Sequence, residues 1–261
     1  MKSKRVKTTT PEIRKRIILN LLKDNDVVSI QEIFKECNAS EITIRRDLSE
    51  LEEKGLLIRT HGGAIKKDAA EHLFTFNNKM RQNQENKEYI CKVASNYIND
   101  NDIIFIDCGS TLSFLSKYIS KKESLTVITN SLPIVSELIN HVNIKLILVG
   151  GEVVNERKAV YGPATERSIL QYHADKAFIG ADGISLSKGL TSYDEKEAAI
   201  TLKMAENSDE VFLLCDSTKV EKNSFVRFAP HTVLDYVITD KNLDSRYISK
   251  YQKNNIKLIN E

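Results

Sequence analysis

Between residues 103 and 238, short apolar runs alternate with stretches of helical periodicity. The runs fall at 103–106, 125–128, 146–149, 177–179, 211–214 and 236–238. Near-continuous apolar runs of this length are what strands look like when a sheet is covered on both faces. Helices fit around them at about 85–99, 110–119, 132–140, 164–172 and 196–206. Strand alternating with helix predicts an α/β main domain over 85–261, with a mostly parallel sheet and helices on both sides.

The first 67 residues read differently. Thr10-Pro11 is a helix start, and Ile13, Ile17, Ile18 and Leu21 follow at helical spacing to about residue 23. Asp24-Asn25-Asp26 breaks the pattern. Ser29 caps a second helix carrying Ile30, Ile33 and Phe34, and Ser40 caps a third that Gly55 stops. Residues 56–60, the turn His61-Gly62-Gly63 and residues 64–65 read as strand, turn, strand. A polar stretch over 68–84, partly helical, reads as the linker. Residues 1–67 carry 15 Lys and Arg against 10 acidic residues, and the rest carries 23 against 26. A small basic domain on a mildly acidic body suits contact with a polyanion.

On the third helix Ile44, Leu48 and Leu51 form one stripe, and Ile42, Arg45, Arg46 and Ser49 project from the opposite side. Arginine can fork onto guanine O6 and N7, and an apolar tip can meet a thymine methyl, so this face has what a major-groove reading helix needs. Ser40 and Thr43, at the helix N-terminus, are placed for DNA phosphate. Solvated arginines with Glu50 and Ser49 as neighbours one turn away are the competing reading. Arg59 and His61 lie on the hairpin, where they reach the DNA backbone or the minor groove, or only solvent.

The runs 40–48 and 51–64 resemble, in order and spacing, the DNA-binding domain of the DeoR family of bacterial transcription regulators. The resemblance implies a winged helix-turn-helix, double-stranded operator DNA as partner, and most often repression of a sugar-catabolism operon.

In the main domain, Ile106-Asp107-Cys108-Gly109-Ser110-Thr111 runs from a strand into a helix. Backbone N–H groups of Gly109, Ser110 and Thr111, with two hydroxyls at a helix N-terminus, make an anion site. Asn130, the Gly150-Gly151 pair, the Asp182-Gly183 pair and Lys219 follow four further strands, and ligands of open parallel sheets collect at carboxyl strand ends. Lys219 fits either a phosphate-directed cation or an exposed loop lysine. These clusters resemble the DeoR-family sensor domain over residues 75 to 255. That resemblance implies a fold similar to ribose-5-phosphate isomerase, phosphate held by the turn 107–111, and sugar hydroxyls near Asn130, Gly150, Asp182 and Lys219. The run Val220-Glu221-Lys222-Asn223-Ser224-Phe225 departs from the family's pattern after Lys219.

Other classes find less support. No Gly-Lys-Ser/Thr follows the phosphate turn, and the dinucleotide fingerprint is missing. An isomerase with an appended DNA-binding domain is the alternative, with Asp182, Glu195 and Lys188 as its acid–base groups, but the acidic and Gly-rich spacing of such enzymes is lacking. Cys37, Cys91, Cys108 and Cys215 are scattered, so neither a disulfide framework nor a metal site is expected, and no cofactor is implied. The basic N-terminus precedes apolar residues too few and too interrupted for a secretory core, and no run approaches a membrane span. The expectation is a cytoplasmic homo-oligomer.

Overall fold

A computed structural model describes residues 10–25, 27–37, 39–60, 63–66 and 75–260. The chain divides into two compact units, 1–75 and 76–261.

The first unit holds helices α1 (Pro11–Asp24), α2 (Ile30–Cys37) and α3 (Glu41–Glu53). Thr10 and Ser40 cap α1 and α3 by accepting from Ile13 N–H and Thr43 N–H. Ser29 and Glu32 form a reciprocal capping box at α2: Glu32 N–H donates to the Ser29 hydroxyl at 3.2 Å, and Ser29 N–H to the Glu32 carboxylate at 2.7 Å. At the end of α3, Gly55 takes φ 67° and its N–H donates to the Glu52 carbonyl, while Leu56 N–H reaches back to Leu51. Ile18, Ile33, Ile44 and Leu48 fill the core, and Phe34 is exposed.

Strand β1 (Val27–Ser29), which the sequence reading missed, pairs with β3 (Gly63–Lys66), and β3 pairs with β2 (Leu57–Thr60), all antiparallel. Gly63 therefore lies within a strand. A Cβ there would stand 1.9 Å from the Val28 carbonyl oxygen, so close approach of β1 demands glycine. Arg14 of α1 and Asp47 of α3 form a buried bidentate pair at 2.6 and 3.1 Å.

The second unit begins with α4 (Phe76–Arg81) and α5 (Gln84–Ala94). Its main sheet is parallel throughout. It contains β4 (Ile103–Ile106), β5 (Leu125–Thr129), β6 (Ile144–Leu148), β9 (Ala174–Ile179), β12 (Ser208–Leu214), β14 (Tyr236–Ile238) and β15 (Lys257–Ile259), ordered β15-β14-β12-β9-β4-β5-β6. Side-chain alternation divides the core between the two faces. Phe105, Ala177, Leu213 and Val237 join one cluster, and Ile104, Ile106, Phe178, Phe212 and Ile238 the other. The first cluster is covered by α9 (Glu195–Glu206) through Ile200 and Met204. The second is covered by α5, α6 (Leu115–Ile119) and α7 (Leu132–Leu138).

The stretch expected as one helix over 110–119 is a 3₁₀ turn (Leu112–Phe114) followed by the short α6. Missed elements are short or amphipathic additions: the hairpin β7 (Glu152–Val154) and β8 (Ala159–Tyr161), the small sheet of β10 (Gly183–Ser185), β11 (Gly189–Ser192) and β13 (Val226–Ala229), the edge strand β15, and α10 (Ser245–Gln252). Helix α8 (Pro163–Ile169) follows the hairpin.

Asp47→Ala leaves the Arg14 guanidinium buried without its carboxylate, and such half-broken pairs cost about 3–5 kcal/mol. Denaturant unfolding should show the first unit melting early in Asp47→Ala, with much of the loss recovered in Arg14→Met/Asp47→Leu. Wild-type stability in the single variant would contradict the assigned role.

Candidate functional site

Helix α3 presents the expected face. Ile44, Leu48 and Leu51 are buried, whereas Ile42 is 82% exposed and the Arg46 side chain likewise 82%. Arg46 leans toward Glu50 at 3.4 Å, and Arg45 is held by Glu41 at 2.7 Å, a partner the sequence reading did not name. Exposed i,i+4 pairs are worth about 0.3–0.5 kcal/mol, so both guanidiniums can be redirected to a stronger acceptor. The Ser40 and Thr43 hydroxyls hydrogen-bond to one another at 2.8 Å at the helix start. Arg59 lies against α3: its guanidinium donates to the Ser49 hydroxyl and its backbone N–H to Glu52 at 2.9 Å. Arg59 and Ser49 are thus a coupled pair. His61 and Gly62 lie outside the described residues.

The main sheet creates the second site. Strand order runs outward from β4 through β5 to β6, then resumes at β9 on the other side of β4. Loops leaving β4 and β9 therefore diverge, and a crevice opens between them. Cys108, Gly109, Ser110 and Thr111 from one loop and Gly180, Ala181 and Asp182 from the other line the resulting cleft, with Lys219 from the end of β12. Four lining groups come from elements that sequence reasoning had not connected to the site: Phe76 and Lys79 of α4, Arg157 of the β7–β8 turn, and Glu197 of α9. A sixth charged residue, Lys87 of α5, is only 3% exposed and donates to the Ser110 hydroxyl at 3.2 Å and to the Lys79 carbonyl.

Charges in the cleft are partly matched. Lys79 meets Asp182 at 2.7 Å, and Arg157 meets Glu197 at 3.3 Å. Burial opposes ionisation of Asp182, but Lys79 and Lys219 overcome it and hold its carboxyl below the ordinary carboxylate range. Burial raises Glu197, against Lys79 and Arg157. Among the described residues, Lys87 and Lys219 form no ion pair; Lys219 donates to the Ala181 carbonyl at 3.1 Å. Burial, aided by the charge of Lys219, pushes Lys87 down to about 8.

Several expected contact residues take structural positions instead. Asp107 is 1% exposed, and its carboxylate accepts from Cys108 N–H at 2.7 Å, Gly180 N–H at 3.3 Å and the Thr201 hydroxyl at 2.9 Å. Asn130 is buried and donates its amide to the Val160 carbonyl at 3.2 Å, anchoring the β7–β8 hairpin. The Gly150 carbonyl accepts from Thr165 at 2.9 Å, and a Cβ on Gly151 would fall 2.0 Å from that same hydroxyl. Gly183 opens β10, where a Cβ would meet the Lys222 carbonyl at 2.6 Å. The helix-dipole argument for Ser110 and Thr111 also weakens, because a 3₁₀ turn follows them. Cations supply the positive potential there. Of the acid–base candidates, only Asp182 lines the cleft; Glu195 and Lys188 are exposed, and Glu197 occupies the position the reading gave to Glu195. The unusual run 220–225 turns away: Glu221 accepts from Leu186 N–H, Lys250 and Tyr251, and Asn223 from Ser185.

Among the described residues no helix is long and apolar enough to cross a membrane, and no cluster of His, Cys, Asp and Glu could hold a metal ion. Two family models match the chain: the DeoR-like helix-turn-helix domain over residues 14–69 and the DeoR C terminal sensor domain over 82–241. The HTH-type transcriptional regulator IolR of Bacillus subtilis is 34% identical, over 84% of this chain and 87% of its own. The HTH-type transcriptional repressor GlcR of the same organism is 30% identical over 93% of both chains. The L-fucose operon activator of Haemophilus influenzae is 32% identical over 91% of this chain and 95% of its own. Among solved structures, a D-ribose-5-phosphate isomerase bound to phospho-erythronic acid matches at TM-score 0.40 and 17% identity, over 52% of this chain and 54% of that one.

Because three donors converge on Asp107, Asp107→Asn puts an amide N–H₂ where a donor already points. One buried unsatisfied group costs about 1–3 kcal/mol, or several degrees in a chain of this size. Calorimetry should show that loss in Asp107→Asn and leave Lys219→Met near wild type; equal melting of Asp107→Asn and wild type would remove Asp107 from its structural role.

Proposed function

The chain belongs to the DeoR family of DNA-binding transcription regulators, and from that premise we propose that it represses a sugar-catabolism operon under control of a phosphorylated sugar. Helix α3 reads the operator through Ile42, Arg45 and Arg46, with Ser49 and Arg59 acting as one unit and Ser40, Thr43 and His61 at the DNA backbone. A single short helix covers few base pairs, so a symmetric homo-oligomer in the cytoplasm presents two or more of them to a palindromic site.

The observation that carries the ligand assignment is the unmatched pair Lys87 and Lys219 beside the Ser110 and Thr111 hydroxyls, at the point where strand order reverses. Two cations match a phosphate monoester dianion. Asp182 and Glu197, each already facing a cation, suit sugar hydroxyls as acceptors. Asp107, Asn130, Gly150, Gly151 and Gly183 support this site from behind and shape it. We read the cleft as binding without turnover, since Glu195 and Lys188 stand outside it and the acids within it are tied to cations. Incubation with ribose 5-phosphate should yield no isomer.

Thermal unfolding against sugars with and without phosphate tests the reading. A ligand at 100 times its Kd stabilises by about 2.7 kcal/mol, and only phosphorylated members of the panel should shift the transition. No shift with any of them would overturn the sugar-phosphate assignment. Ligand affinity should also fall by about tenfold as pH rises through 8: Lys87 loses its proton there in the free site, while bound phosphate favours the charged form. A flat profile between pH 7 and 9.5 would remove Lys87 from the site. On the DNA side, Arg46→Ala should weaken operator binding by about 1–3 kcal/mol with ligand binding retained, measured by fluorescence anisotropy. Undiminished affinity would refute the reading-helix assignment.

A further inference from the structure

Helix α4 is at once a wall of the ligand cleft and the first element of the second unit after the join with the DNA-reading unit. Several contacts hold it, among them packing of Met80 on the second core cluster. The buried Phe76 ring lines the cleft, and Phe76 N–H donates to the Glu156 carbonyl at 2.7 Å. Lys79 is paired with Asp182 at 2.7 Å. Its carbonyl accepts from the Lys87 ammonium, and Met80 Sδ accepts from the Ser113 hydroxyl at 3.1 Å.

Two of those contacts use groups that a phosphorylated polyol would recruit. Lys87 divides its ammonium between the Lys79 carbonyl and the Ser110 hydroxyl, so a phosphate at Ser110 draws it away from α4. A hydroxyl arriving at Asp182 competes with Lys79 for the same carboxylate. Helix α4 has six residues, far below the length at which a helix holds itself together in water. Its order therefore depends on tertiary contacts, and the ligand takes two of them while those of Phe76 and Met80 remain.

We propose that α4 is a displaceable wall of the cleft, with the Lys79–Asp182 pair as its catch, and that occupancy of the cleft reaches the DNA-reading unit by releasing this helix. The proposal rests on the sugar-phosphate reading of the cleft and adds how that site regulates DNA binding. Lys79 acts through Asp182 and α4 as a positioning residue.

The decisive comparison needs no ligand. A duplex is first selected from random-sequence DNA by the wild-type protein. In ligand-free Lys79→Met, amide exchange over residues 76–81 should accelerate at least tenfold, and affinity for the duplex should change at least fivefold. Lys79→Arg keeps the cation and should retain wild-type values in both. Asp182→Asn breaks the same pair from the other side and should reproduce the change in DNA affinity, so a poorly folding Lys79→Met would not end the test. Faster exchange with duplex affinity within twofold of wild type would overturn the coupling, and unchanged exchange in both variants would overturn the catch. With wild-type protein, inorganic phosphate should raise the unfolding temperature and accelerate exchange over 76–81 by less than Lys79→Met does, because it draws off Lys87 but lacks hydroxyls to displace Lys79. A failure of inorganic phosphate and every sugar phosphate to raise it would defeat the reading of the cleft and leave the ligand-free comparison standing.

Discussion

The Asp107 carboxylate sits where the strand order of the parallel sheet reverses, and the loops of the second unit part around it. It accepts from the loop after β4, the loop after β9 and helix α9 at once. Two adjacent strands whose connections leave in opposite senses necessarily part at their carboxyl ends. One buried acid bridging the parting loops fixes how far they separate. Burial pushes its carboxyl up, and the three donors push it back toward the charged form. Such a group is costly to desolvate and is retained only where its hydrogen bonds are complete.

Placement of charge follows from that opening. The cleft is lined by two cation–carboxylate pairs and by Lys219, which forms no ion pair among the described residues, with Lys87 buried behind the Ser110 hydroxyl. Keeping Lys87 buried against other cations costs stability that a bound dianion would restore, a common economy in binding sites. In the first unit a buried pair has the opposite use. Arg14 and Asp47 are satisfied by one another, and their bidentate contact fixes α1 against α3. The outward face of α3 then carries an exposed Ile42 and an Arg46 whose surface partner, Glu50, is weakly held.

Local signals along the chain determined a great deal. Caps at Thr10, Ser29 and Ser40, the stop at Gly55 and the apolar stripe of α3 follow from short-range chemistry, and they are found where the spacing put them. Near-continuous apolar runs determined the parallel sheet, because only a strand covered on both faces tolerates them. Strands such as β1, β7 and β15 were not legible, since each is three residues long and includes a polar residue, which leaves no continuous apolar run of the kind that marks β14.

What tertiary structure alone decided is which polar residues face the cleft. A glycine or acid at a strand end reads the same whether it lines a cavity or supports one. Asp107 and Asn130 were taken inward by hydrogen bonds to loops whose arrival no local pattern records. Lys79, Arg157 and Glu197 were brought to the cleft, and Lys87 to the back of Ser110, from four separate elements, each of which looks like an ordinary solvated helix or turn in isolation. Periodicity reports which side of an element is buried, but not what meets it there. That meeting is set by strand order, and strand order is a property of the whole sheet.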